Sequence, residues 1–507
     1  MPAKAAPARL TAPARGVRVV NAARGARNGP QHPRDAMRIA FVNPPPVGGM
    51  RFIREGRCMQ SVASWAALWP PLTLASLAAV ARGAGHEVAL WDGNVPPATD
   101  AARLLDRLRG FAPALAVVNT AFPSIEGDDA FAASVRAACP GAVVAGVGQF
   151  FTLLETRALE ACPGFDLGIM GEPEAPFAAL LETLAAGGDL SASPGLVVRG
   201  ADGAPQLTPP ASVTRDLDAL PFPARDLLET GAYRLPHNGA PFTLVNVARG
   251  CPNACTFCIA PAYHGHKLRR RSLENVLREI EQCRNDLGLR HFLFWEELFA
   301  HDREFALALC EGLGKWRGDI AWAATTRADK VDAELVRAMK QAGCFLLGLG
   351  IESASQEILD RARKAERVED MRRAVALCRE AGLQTMGHFI FGLPGETPET
   401  AEATVRFAVG LGLDYLQCYA AVPYPKTELG ALAEKNGWIR AKAWKEYDFG
   451  GPSILDIGTI RPEEVDRFRT RLFRKFYLRP AYLMRRLTEL LRHPRQLAQA
   501  AGFLRWM

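Results

Sequence analysis

From Met37 onward, short apolar runs alternate with longer stretches in which apolar residues recur every three or four positions. The short runs read as strands buried on both faces and the longer stretches as amphipathic helices. RIAFVNPPP (38–46) is a strand feeding a proline-broken loop, and LTLASLAAVARGAG (72–85) is a helix with a glycine stop. HEVALWDGN (86–94), LAVVNT (115–120), AVVAGVG (142–148) and DLGIMGEPE (166–174) repeat the strand pattern, with helical segments between them. This spacing predicts a parallel, doubly wound α/β sheet with its ligand at the strand C-termini. The ligand edge would then be Asn43-Pro44-Pro45, Thr120, Gly146-Val147-Gly148-Gln149 and Gly171-Glu172. Glycines there let a ligand approach the backbone. Taken singly these are turn residues, and they name no cofactor.

Residues 190–237 change character, with a hairpin pattern in SPGLVVRGADGAPQLTPP and a proline-punctuated connector in DLDALPFPARDL (216–227). A second alternating series follows. FTLVNVARG (242–250), HFLFW (291–295), IAWAATTRAD (320–329), CFLLGLGIES (344–353), QTMGHFIFGLPGET (384–397) and YLQCYAAVPYP (415–425) read as strands. SLENVLREIEQC (272–283) and VEDMRRAVALCREAG (368–382) are amphipathic helices between them. Six βα units predict a partial TIM-like barrel with its chemistry at the strand C-terminal ends. The expected division is a basic tail at 1–36, a Rossmann-like domain at 37–190, a linker and hairpin at 191–237, the barrel at 238–430 and a helical region at 431–507.

Composition changes this picture little. The 507 residues are 49% hydrophobic and 23% charged, as in a globular protein. No run of eighteen or more uncharged apolar residues marks a spanning helix. Charge is more instructive. Of the formal +7, residues 1–36 carry +6, from seven basic residues against Asp35. The rest is close to neutral, so no specific nucleic-acid partner is expected. The tail itself reads as disordered, with Met37 as an alternative start and an Arg-rich transit segment as the third option. A second basic stretch, 467–507, holds eleven Arg or Lys and one acid, Glu489, interleaved with aromatics. Three readings stand: closing the barrel mouth or packing across the sheet domain with arginines outward, weak association with a membrane surface, and last a contact with nucleic acid.

Eleven cysteines are an odd set, and most are scattered singly in apolar surroundings, as Cys139, Cys310, Cys344, Cys378 and Cys418 are. This is no disulfide framework and fits a reducing cytoplasm. The exception is Cys251, Cys255 and Cys258, spaced C-x3-C-x2-C directly after the first barrel strand. Three thiolates on one loop can hold three irons of a cubane cluster and leave the fourth open to a small molecule. The same cysteines with His264 can instead close a tetrahedral zinc site, and the third alternative is three packed core cysteines.

The motif, with Phe257 before its last cysteine, resembles the signature of the radical S-adenosylmethionine (SAM) enzymes. The resemblance continues in the acidic pair Glu296-Glu297, in Arg327, in Gly350-Ile351-Glu352-Ser353 and in Phe389 to Thr397. The N-terminal sheet resembles the cobalamin-binding domain that precedes the barrel in one branch of that family. Its Asn-Pro-Pro loop, Trp69-Pro70-Pro71, Thr120 strand end, Gly-Val-Gly-Gln turn and Gly-Glu-Pro-Glu all follow the pattern. The Asp-x-His-x-x-Gly cobalt-ligand motif of many cobalamin proteins is missing, and His86, at a helix-to-strand turn, reads as structural.

The resemblance implies a 4Fe–4S cluster on Cys251, Cys255 and Cys258, with SAM chelated at the open iron. Phe257, Glu297, Arg327, Glu352, Ser353, Ile390 and Gly392 would surround SAM. Asn43, Pro44, Thr120, Gly146, Gly148, Gln149 and Glu172 would surround cobalamin. It further implies a 5′-deoxyadenosyl radical, a small-molecule substrate and a low-potential electron donor of flavodoxin or ferredoxin type. C-methylation is the first expectation. Radical ring closure, as in the anaerobic porphyrin cyclases, is the second, and a non-catalytic electron carrier is the third.

Overall fold

A computed structural model describes residues 36–484 apart from 57, 63–66, 296–297 and 481. The tail before Ala36, Glu297 and the stretch 485–507 therefore lie outside the described residues. The first half contains β1 (Arg38–Asn43), a hairpin of β2 (Phe52–Glu55) and β3 (Cys58–Ser61), β4 (Glu87–Asp92), β5 (Leu115–Asn119), β6 (Val143–Val147), β7 (Leu167–Ile169), β8 (Leu196–Arg199) and β9 (Pro205–Leu207). Among the described residues the main sheet runs β4-β1-β5-β6-β7-β8-β9. The first five of these strands are parallel, and β8 and β9 extend the edge antiparallel. The hairpin in the stretch read as a linker is thus part of this sheet.

Ile39–Val42 and Leu115–Val118 are wholly buried because helices cover both faces of the sheet. After β4 the chain crosses β1 to lay down β5, so strand order reverses between β1 and β5. A crevice opens at such a reversal, beyond the strand C-termini. Asn43 and Asn119 are the last residues of those two strands.

The second half contains β10 (Phe242–Val245), the short antiparallel pair β11 (Ala248–Arg249) and β12 (Arg269–Arg270), β13 (His291–Phe294), β14 (Ala321–Thr326), β15 (Cys344–Glu352), β16 (Gln384–Phe391) and β17 (Tyr415–Ala420). The order β10-β13-β14-β15-β16-β17 is sequential and every pairing is parallel, the arrangement of a partial (β/α)6 barrel. The helix Leu273–Asp286 begins where Ser272 accepts from the Asn275 N–H at 3.2 Å. That contact satisfies one of the donors a helix start leaves free.

The two halves share their cores. Phe242 and Leu244 of the barrel pack with the first sheet, as do Ile259, Ala260, Tyr263 and Tyr424. In the connector, buried Arg225 reaches the barrel, donating to the Leu244 carbonyl at 2.7 Å and pairing with Glu279 at 2.5 Å. His86 accepts from the Met37 N–H at 3.2 Å, a structural contact at its turn.

The described part of the basic C-terminal stretch packs on the barrel. In the helix Pro462–Tyr477, Leu472, Phe476 and Tyr477 are buried, and the Tyr477 hydroxyl donates to the Leu416 carbonyl at 2.8 Å. Arg471 and Lys475 pair with Glu402. Among the described residues no helix is long and apolar enough to cross a membrane.

Candidate active site

The cysteine loop leaves β11 through Gly250, whose φ of +94° places it in the region that favours glycine. A Cβ there would lie 2.2 Å from the Lys267 carbonyl oxygen, so only glycine lets the loop fold against its own returning strand. The loop is moored by backbone bonds. Cys251 N–H donates to Gly265 at 3.2 Å, Thr256 N–H to Ala362 at 3.0 Å, and Leu429 N–H to Thr256 at 2.8 Å. Cys251 is buried, Cys255 and Cys258 are half-buried, and none of the three is in a disulfide. The Asn253 amide donates to Cys251 Sγ at 3.4 Å, and burial pushes the Cys255 thiol up to about 12. Phe257 packs against the barrel core.

Among the described residues no three His, Cys, Asp or Glu side chains converge closely enough to hold one ion. His264 Nδ1 is instead 2.7 Å from Glu172. The four-ligand closure by His264 is therefore not formed. A cubane asks less of its protein, because each cysteine bonds a different iron. Three cysteines outside any disulfide, held on one loop, fit that donor set.

Beside this loop the barrel mouth carries a buried ionic network. Glu352 ends β15 with φ +62°, followed by Arg363 at +50° and Ala365 at +51°. Left-handed backbone at three non-glycine residues costs energy and is held only by its surroundings. Arg327 braces the loop that carries the second and third of these. Its guanidinium donates to the Lys364 carbonyl at 2.6 Å, the Ala365 carbonyl at 2.7 Å and Asp329 at 2.9 Å. The loop so braced directs Lys364 to Glu352 at 3.0 Å and Glu366 at 3.4 Å. Burial works against the Lys364 ammonium, but the two carboxylates outweigh it and raise its pKa. Ser353 is fully buried and accepts from the Ser355 N–H at 3.2 Å. At the end of β16, Ile390 is buried and the Gly392 N–H donates to Glu396. Burial pushes the Glu396 carboxyl up to about 8.

A cleft of about 120 Å³, open to solvent, lies between the two halves. It is lined by Asn119, Gly148, Gln149 and Gly171 from the first sheet and by Asn246, Arg249, Tyr263, His264 and Trp295 from the barrel. Gln149 Oε1 is buried without a hydrogen-bond partner, and the buried Asn119 amide has the Glu55 carboxyl beside it but no well-formed hydrogen bond. Orphaned polar atoms facing a cleft are what an amide-rich ligand such as cobalamin would satisfy. Gly171, at φ +68°, has open space where a side chain would be. The site fits that ligand at this edge.

The other residues expected around cobalamin have protein partners. Asn43 donates to Asp92 at 2.7 Å, and buried Arg54 donates to Asn43 at 3.1 Å and to the Pro44 carbonyl at 3.3 Å. Arg54 also pairs with Asp128 at 2.7 Å. Thr120 is fully buried, with its hydroxyl on the Val147 carbonyl. A Cβ on Gly146 would strike the Phe151 ring at 2.0 Å, and one on Gly148 the Thr120 carbonyl at 2.3 Å. Those two glycines admit neighbouring protein atoms in this structure. Glu172 is taken up by Arg269 and His264.

Asn119, Glu55 and Lys364 were not singled out from the sequence. Asn119 carried a signal, as the last residue of a strand at a sheet's switch point. Glu55 sits in a hairpin without periodicity, its carboxyl accepting from the Thr73 hydroxyl at 2.9 Å and pushed by burial up to about 8.

Comparison with known proteins locates two families in the chain. Residues 245–408 match the Radical SAM superfamily and residues 61–181 match the B12 binding domain. An uncharacterized methyltransferase of Pyrococcus horikoshii is 29% identical over 422 residues, covering 83% of this chain and 90% of that protein. The anaerobic magnesium-protoporphyrin IX monomethyl ester cyclase of Cereibacter sphaeroides is 28% identical over 454 residues, 88% of this chain and 71% of that one. In fold, the chain is similar to the radical S-adenosylmethionine methyltransferase TsrM of Kitasatospora setae, with a TM-score of 0.64 at 20% identity over 82% of this chain and 84% of that one.

Proposed function

Because this chain belongs to the radical SAM superfamily and carries a B12-binding domain ahead of its barrel, we propose that it is a cobalamin-dependent radical SAM enzyme that methylates an unactivated carbon of a small molecule. The observation that carries this reading is the shared cleft. Gly148, Gln149 and Gly171 of the first sheet face the same space as Asn246, Arg249, Tyr263 and His264, which flank the cysteine loop. A methyl donor held in that cleft would lie beside the loop that carries the cysteines. The methyltransferase named among the relatives supports the same choice.

Bound together, the cluster and SAM supply hydrogen abstraction, and cobalamin supplies a methyl group. The protein's part is placement. Cys251, Cys255 and Cys258 would hold the cluster, and the Asn253 amide donates toward one of their sulfurs. Phe257, Glu352, Ser353, Ile390 and Gly392 would form the SAM side of the mouth, with Arg327 fixing the loop that presents Lys364. Asn119, Gln149 and Gly171 would meet the cobalamin side chains. A low-potential flavodoxin or ferredoxin is the electron donor this chemistry calls for.

Ring closure is the second reading, favoured by the cyclase that aligns with 88% of this chain. Anaerobic reconstitution with iron, sulfide, cobalamin and methyl-labelled SAM under dithionite tests both. The expected result is 5′-deoxyadenosine together with label on cobalamin, both lost in Cys255→Ala. Release of 5′-deoxyadenosine without methyl transfer would favour cyclisation. Absence of both products would overturn the enzyme reading.

A further inference from the structure

The Gly171-Glu172-Pro173-Glu174 turn after β7 belongs to the first sheet, yet its carboxylates are spent on the barrel's cysteine loop. Glu174 forms a two-point pair with Arg249, at 2.6 and 2.9 Å. Arg249 stands two residues before Cys251. Glu172 accepts from His264 Nδ1 at 2.7 Å and from Arg269 through both oxygens, one at 2.9 Å. His264 and Arg269 lie on the returning side of the same loop, six and eleven residues after Cys258. Arg269 adds a bond to the His264 carbonyl at 2.9 Å, and Arg249 approaches Glu172 at 3.7 Å, joining the two clamps. Both glutamate side chains are nearly sealed from solvent, at 2% and 6% exposure.

We infer that Glu172 and Glu174 are positioning residues for the cysteine loop: they pin its outgoing and returning stems to the end of β7, so that the cluster site is complete only when the two domains are joined. Burial makes the clamp decisive, since removing one partner of a buried pair leaves the other uncompensated. Backbone bonds from Cys251 and Thr256 fix the loop's interior. In the stems Arg249, His264 and Arg269 all turn to this one acidic turn. The inference takes from the proposed function only the role of the cysteines, and its first test needs no iron.

Hydrogen exchange by mass spectrometry on the full-length, metal-free protein reads the stems directly. In Glu172→Gln and Glu174→Gln, peptides spanning 247–251 and 263–271 are expected to exchange roughly tenfold faster or more. Peptides from β15 and β16 should keep their protection, and Glu87→Gln at the exposed start of β4 should change nothing. In reconstituted protein the same two variants should lose iron to excess chelator faster than the parent. Unchanged stem exchange in both variants would overturn the inference. If a variant also loses protection in β15 and β16, the charge swap Glu174→Arg with Arg249→Glu decides. Recovery of stem protection over the single variants upholds the clamp, and no recovery rejects it. A parent protein that takes up no iron but still shows the stem effect would refute the proposed function and leave the clamp standing.

Discussion

Gly250 shows how narrow the tolerance of this site is. Its positive φ and the Lys267 carbonyl 2.2 Å from a notional Cβ oppose any side chain. Gly250→Ala should cost about 1–3 kcal/mol in backbone strain and displace the neighbouring Cys251. The expected result is a folded protein with much reduced iron content after reconstitution, read by colorimetric iron assay beside a thermal melt. Lys364 is the opposite case, a residue whose worth lies in its charge. Lys364→Met leaves Glu352 and Glu366 buried without their ammonium, and loss of about 3–5 kcal/mol is expected in denaturant unfolding. Neither Lys364 nor Arg54 stood out in the chain, because the partners that define them, Glu352 and Asp128, come from other segments.

At the scale of elements, periodicity located the strands of both sheets and the helices between them, because burial on both sides leaves near-continuous apolar runs. The hairpin β2–β3 escaped notice. Among the described residues it pairs only with itself, and its buried positions include Arg54, Glu55 and Gln60, which interrupt any apolar pattern. The C-terminal helix is an element with a measurable task. Tyr477 both donates to Leu416 and accepts from its N–H at 3.1 Å, fastening the helix to β17. Tyr477→Phe removes both contacts from buried backbone groups and should cost about 1–3 kcal/mol. Leu472→Ala should cost about 2–5 kcal/mol. Urea titration of each variant checks these values, and wild-type midpoints in both would dissociate the helix from barrel stability.

At the scale of the whole molecule, each half carries a buried acid whose pKa is raised to about 8, Glu55 in the first and Glu396 in the second. Desolvation is the cause in both. The folded state keeps a proton that the unfolded chain releases from 4.5 upward. Stability is therefore highest below that value, falls as pH rises toward about 8, and is level beyond. The slope approaches roughly 1.4 kcal/mol per pH unit for each group. Glu55→Gln and Glu396→Gln should each flatten the decline of melting temperature between pH 5 and 8. Parallel curves for parent and variants would show these carboxyls already ionised. Glu172 runs the other way. Burial opposes its charge, but Arg269 and His264 hold it down at about 2, so its contribution is lost as pH falls from 4.5 toward 2.

The sequence by itself determined the two α/β halves, the sheet edge where a ligand is expected and the three cysteines at the start of the barrel. Strand and helix periods, turn residues and ligand spacing are local, and a chain writes local chemistry in consecutive letters. Tertiary structure alone decided which side chains meet. Glu172 finds His264 and Arg269 across 92 and 97 residues, and Asn119 comes to line one cleft with Asn246 and Arg249 of the barrel. Such pairings are set by how two packed bodies face each other, and burial, not spacing, gives them their energy.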